Sequence, residues 1–123
     1  MEKGLSYTSK TIVNRNNTAI AMGSSDLEVF ATPALVALME NAAKQAVENY
    51  LPEGSTTVGA QIQTSHIKPS ALGEEVTATA VLEEVEGRKL TFRLKATDSQ
   101  GIVGEGTHIR YIVDICRFMS KLK

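Results

Sequence analysis

Apolar residues recur at helical spacing between Pro33 and Tyr50. Leu35, Val36, Met39, Ala42, Ala43, Ala46, Val47 and Tyr50 fall on one side, with Asn41, Lys44, Gln45 and Glu48 opposite. The pattern predicts one long helix with a face to bury. Thr32 before Pro33 reads as its start, because an N-cap threonine accepts from orphan N–H groups and proline fits the first helical position. Leu51-Pro52-Glu53-Gly54 ends it. Upstream, residues 6–14 are rich in β-favouring types and run into polar Asn14-Arg15-Asn16-Asn17, predicting a strand and a turn. Residues 18–29 show no clear period. Downstream the segments 57–67, 75–85, 88–98 and 102–114 have strand character, with hairpin signals at Glu86-Gly87 and at Gly101. The expected arrangement is an antiparallel meander. A helix apolar over about half its circumference needs a sheet to cover it, so the fold class is α+β, one long central helix wrapped by a curled antiparallel sheet. Residues 115–123 fit either a strand extension or a short tail helix.

At 123 residues the chain reads as a single domain spanning 1–123. Thirteen Lys and Arg against fourteen Asp and Glu give a formal charge of −1, which argues against nucleic acid as a partner. Single Cys116 excludes an internal disulfide, and two histidines without a cysteine cluster argue against a metal site. The expected cofactor set is therefore empty. The first residues lack the apolar core of a signal peptide and the apolar helix carries Glu40, Lys44 and Glu48, so a soluble, cytoplasmic protein without a membrane partner is expected.

Three side chains stand out chemically. Thr32 opens the helix and Glu40 lies two turns into it. In the run 57–66 alternation puts Val58, Ala60, Ile62, Thr64 and His66 on one strand face. A hydroxyl, a carboxylate and an imidazole on regular structure suit acyl transfer, with the imidazole as a base near neutral pH and Glu40 as its orienter or as a base acting on water. Taken singly, each has a plainer reading: Thr32 as a cap, Glu40 as an acid reaching water from the edge of the apolar arc, His66 as a hydrogen-bonded core histidine. His108 and Arg110 share a strand face with Ile112, and His108 reads as structural or as a contact to a nucleotide. Lys68, Arg88, Lys89, Arg110 and Lys121 are the cations available to phosphates, although scattered basic residues are ordinarily solvated surface. Cys116 has no histidine beside it in sequence to activate it.

Glu28-Val29-Phe30-Ala31-Thr32, Leu38-Met39-Glu40, Thr64-Ser65-His66 and Gly104-Glu105-Gly106-Thr107-His108 together resemble the fluoroacetyl-CoA thioesterase family of hotdog-fold proteins, from about Glu28 to about Lys121. The resemblance implies a hotdog fold and hydrolysis of a short or medium acyl-CoA to the free acid and CoA. It implies Thr32, Glu40 and His66 as catalytic residues, Gly59 as a substrate-binding residue near the carbonyl, and a homodimer with sites at the subunit interface. The chain departs from the family in residues 18–27, which are short and free of the aromatics that form a lid over the acyl group, so fluoroacetyl selectivity is not implied. A pocket gated by Met22 or Leu27 is expected instead. The alternative is a hotdog dimer that binds an acyl-CoA or another apolar ligand without cleaving it. Other hotdog enzymes place their acid and histidine in motifs that are missing here, such as an Asp followed by Asn-Pro and His.

Overall fold

The computed structural model describes residues 1–122. Strand β1 (Ser6–Ile12) leads through a short helix α1 (Ala19–Met22) to the long helix α2 (Thr32–Val47), which tightens into a 3₁₀ turn at Glu48–Tyr50. Strands β2 (Ser55–Thr64), β3 (Glu75–Glu86), β4 (Lys89–Asp98) and β5 (Gly101–Asp114) follow, and a short helix α3 (Ile115–Ser120) closes the described chain. The open choice for the tail thus falls to helix, capped by Asp114 accepting from the Arg117 N–H. Residue 123 lies outside the described residues.

All five strands form one antiparallel sheet in the order β1-β3-β4-β5-β2. Strict alternation in β3 and β4 turns Val76, Ala78, Ala80 and Leu82, then Leu90, Phe92, Leu94 and Ala96, toward α2. The helix answers with Leu35, Leu38, Met39, Ala42, Ala43, Ala46 and Val47. Each fully buried large side chain in this core contributes about 1.5–3 kcal/mol of transfer free energy. Leu38 belongs to the core and Tyr50 does not, because the chain leaves α-helical geometry after Val47 and the 3₁₀ turn carries Tyr50 out to solvent.

Two expectations about the sheet are corrected. The four later strands are not a simple meander: β3, β4 and β5 follow one another, but β2 pairs with β5 and lies on the far side of the sheet from β3. The connection from β2 to β3 crosses the end of β5, where the Ser65 N–H donates to the Glu105 carbonyl and the Ile67 N–H to the Val103 carbonyl. That crossing needs glycine beneath it. A Cβ on Gly104 would lie 2.2 Å from the Ser65 carbonyl oxygen, and one on Gly106 would lie 2.0 Å from that of Gln63. The face assignment in β2 also fails. The register against β5 skips Ala60, a bulge that flips the alternation, so Thr57 and Gly59 point inward before it and Ile62 and Thr64 after it, while Val58 and Ala60 do not share their face. His66 lies beyond the end of the strand.

Candidate active site

Thr32 does not cap its helix. Ala31 holds the N-cap position in extended geometry with no side-chain cap, the Leu35 N–H bonds the Ala31 carbonyl, and Thr32 itself is the first helical residue. Its hydroxyl is therefore free, and it meets His66: Thr32 Oγ1 and His66 Nδ1 are 2.7 Å apart. The other ring nitrogen, Nε2, is buried and has no hydrogen-bond partner among the described residues. Burial holds the imidazole below its ordinary pKa, outweighing the opposite pull of the backbone at Lys68. With the ring neutral and Nδ1 the acceptor, the 2.7 Å distance meets the geometric requirement for a base toward a hydroxyl.

The pair opens onto a cavity of about 250 Å³ walled by Ala19, Ser24, Ser25, Val29, Phe30 and Ile67. The expected gate residues are elsewhere. Met22 lines a different cavity, and Leu27 is 63% exposed and lines neither. The cause is α1, whose single turn, capped by Thr18 and closed by left-handed Gly23, puts Ala19 inward and Met22 toward β1.

Glu40 stands apart from the pair. Eight residues of helix separate it from Thr32, a rise of about 12 Å. Its carboxylate faces Arg110, with Nη1 3.7 Å from Oε2. Orientation of His66 by Glu40 of the same protomer is thus not what the fold provides: an orienter would hold Nε2, which has no partner among the described residues, while the Glu40 carboxylate faces Arg110. Gly59 goes with Glu40: a Cβ there would lie 2.6 Å from Glu40 Oε2 and 3.2 Å from His108 Cε1, so the missing side chain leaves the seat of the carboxylate open.

Behind Glu40 lies a polar cluster in which the guanidinium's donors are well occupied. Arg110 is buried, its Nε donating to Thr57 Oγ1 (2.8 Å), its Nη2 to the Thr57 carbonyl (2.9 Å) and its Nη1 approaching His108 Nε2 at 3.2 Å. Since an arginine only donates, His108 Nε2 accepts and Nδ1 carries the hydrogen that goes to the Gln61 carbonyl at 2.7 Å. Burial first, and the Arg110 charge in addition, keep His108 below its ordinary pKa and neutral. The bond to Gln61 pins the bulge at Ala60, which makes His108 structural. Arg110 is not a surface cation for phosphates, and neither is Lys68, which bonds buried Asp98 at 2.5 Å. The inward partners Arg110 and Thr57 were missed as site residues. Their signal was the face that Arg110 shares with Ile112, since a buried guanidinium must find partners. Among the described residues no group of three or more His, Cys, Asp or Glu could hold a metal ion, and no helix is long and apolar enough to cross a membrane.

Comparison with known proteins decides the lineage. The family model for fluoroacetyl-CoA-specific thioesterase matches residues 13–115. The chain belongs to this family. The fluoroacetyl-CoA thioesterase of Streptantibioticus cattleyicolor is 40% identical over 96 residues, covering 78% of this chain and 69% of that protein. A crystal structure of the fluoroacetyl-CoA thioesterase FlK superposes with a TM-score of 0.92 at 34% identity, covering 99% of this chain and 95% of that one. A hot-dog-like protein from Thermanaerovibrio acidaminovorans gives 0.90 at 27% identity, covering 99% and 90%. The architecture of the family member described here is the hotdog fold.

Proposed function

We propose that this family member hydrolyses short or medium acyl-CoA thioesters to the free acid and CoA. The observation that carries the reading is the 2.7 Å contact between Thr32 Oγ1 and His66 Nδ1 on the wall of a cavity. His66 takes the proton of the attacking oxygen, either that of Thr32 or that of a water held by it, as a bond forms to the thioester carbonyl. The first turn of α2 offers uncapped N–H groups to the developing oxyanion. The proton on His66 then passes to the departing thiolate of CoA; where Thr32 is the attacking oxygen, a water deprotonated by His66 next cleaves the Thr32 ester, releasing the acid and returning the proton to Thr32 Oγ1.

A homodimer completes the site in this reading. β2 is an edge strand, paired only with β5 among the described residues, and its other edge offers unpaired backbone groups. Two copies joined there antiparallel about Ile62 set the Gly59 end of one β2 opposite the Ser65 end of the other. Glu40 of one copy is thereby offered to the Thr32 and His66 of its partner, where a carboxylate steadies the imidazolium formed during attack. Size-exclusion chromatography with light scattering is expected to give a dimer.

Residues 18–27 contribute Ala19, Ser24 and Ser25 to the cavity wall and no aromatic, which leaves Phe30 as the aromatic side chain on that wall, so in this reading fluoroacetyl-CoA is not a strongly preferred substrate. Apolar contacts of this kind discriminate one small substituent by about 1–3 kcal/mol. Thiol release from a panel of acyl-CoAs, fluoroacetyl-CoA included, tests both statements. Turnover of at least one short or medium chain, with a fluoroacetyl-to-acetyl ratio of kcat/KM below about a thousandfold, is the expected result. Binding without any thiol release identifies the protein as an acyl-CoA-binding hotdog dimer.

A further inference from the structure

Phe30 has a cavity on each side of it. One is the space of about 250 Å³ that holds Thr32 and His66 on its wall. The other, of about 360 Å³, is bounded by Met22, Ala34, Ala37 and Leu38 and is largely apolar. Phe30 lines both, and at 1% exposure it is the fully buried side chain between them. Its backbone is clamped. The Phe30 N–H donates to the Ser70 carbonyl at 2.9 Å, Thr18 forms a bridge with it, and the next N–H, of Ala31, bonds the Asn17 carbonyl at 2.9 Å. The ring therefore cannot yield by a shift of the chain.

We infer that Phe30 is the end wall that sets acyl chain length, and that the apolar cavity behind it is room for a longer acyl tail that Phe30 denies. This rests on the acyl-CoA hydrolase reading. The thioester carbonyl must lie within reach of Thr32 Oγ1, and the acyl carbons then extend into the cavity that Phe30 bounds. Phe30 acts on specificity by touching the tail and takes no part in the bond changes at the carbonyl. The cavity behind it suits a tail because carbon lines most of it, and a tail arriving there loses no hydrogen bond by leaving water.

The test is kcat/KM for straight-chain acyl-CoAs from acetyl to decanoyl with wild type, Phe30→Leu and Phe30→Ala. Wild type is expected to fall off as chains lengthen. Each methylene admitted to apolar space is worth roughly fourfold, so two or three newly admitted methylenes should raise the decanoyl-to-butanoyl ratio by roughly tenfold to a hundredfold in the variants. Ala34→Phe added to Phe30→Leu refills the cavity from the helix side and should return the ratio toward wild type. Should Phe30→Ala fail to fold, Phe30→Leu carries the comparison, and the wild-type profile tests the end wall without any variant. A wild type that takes decanoyl-CoA as well as butanoyl-CoA overturns the inference, as does an unmoved ratio in a variant whose circular dichroism and melting are native. If wild type hydrolyses no acyl-CoA at all, the hydrolase reading fails and this inference fails with it, whereas a hydrolase with an unmoved chain-length profile removes the inference alone.

Discussion

Two polar sites lie two turns apart along α2 and are built on opposite principles. At its N-terminal end, Thr32 and His66 share one hydrogen bond, the far imidazole nitrogen has no partner among the described residues, and a cavity adjoins them. Two turns on, Glu40 meets a buried cluster in which Arg110 hydrogen-bonds Thr57 and His108, the Glu40 carboxylate standing 3.7 Å from the guanidinium. Saturated hydrogen bonding holds a side chain in one place, which suits the second site to positioning and to pinning the β2 bulge. Unsatisfied capacity in a buried group is costly unless a ligand uses it, which suits the first site to chemistry. The contrast is what the proposed reading asks for, with attack and proton transfer at the Thr32–His66 end and the Glu40 carboxylate set beside the Arg110 cluster.

The contrast breaks first at His66. His66→Ala should lower kcat by roughly two to four orders of magnitude, the usual worth of a general base, with melting close to wild type. In wild type the rate should rise with pH through an apparent pKa below the ordinary histidine value, because burial depresses it. Unchanged turnover in His66→Ala removes the imidazole from the mechanism.

Thr32 sharpens the same point. Its side chain caps nothing in this structure, so Thr32→Ala should cost less than the roughly 0.5–2 kcal/mol that a lost N-cap costs. Turnover should nevertheless fall more than roughly a hundredfold, while Thr32→Ser keeps most of it. A variant that loses stability and keeps its rate makes Thr32 a cap after all.

At the saturated end, Gly59→Ala should displace the Glu40 carboxylate, the flexible member of the clash, and leave the Arg110 cluster in place. We expect about a tenfold loss of kcat with a native melting temperature, less than the loss of a general base. If KM rises and kcat holds, Gly59 serves substrate approach and not the seating of Glu40.

The smallest effect is on stability. His66 and His108 both sit below their ordinary pKa in the folded chain. As pH falls below about 6.5 the unfolded chain takes up protons that the folded one refuses, so stability is complete above that value and declines through the window beneath it. Thermal melts from pH 7.5 to 5 should show a fall of a few degrees, and a shallower one in His66→Ala, which keeps only the His108 share. A melting temperature independent of pH across that range would show that neither ring is held neutral by the fold.

Much of this architecture was legible along the chain. The 3.6-residue recurrence from Leu35 to Val47 marks the helix, alternation in 76–82 and 90–96 marks the paired core strands, and Glu86-Gly87 marks their turn, because period and turn chemistry are local properties. Thr32, Glu40 and His66 came together as a set only through the family resemblance. What the tertiary structure alone decided is where those residues meet. The placement of β2 beside β5, the bulge at Ala60 that reverses a strand face, the glycines at 104 and 106 that admit the His66 crossing, and the Arg110 cluster all depend on contacts between residues far apart in sequence. A single extra residue in a strand leaves the local pattern almost unchanged yet redirects every side chain beyond it. The sequence by itself therefore determined the elements and the inventory of reactive groups. Packing determined that Thr32 reaches His66 across 34 residues while Glu40, on the same helix, turns to Arg110.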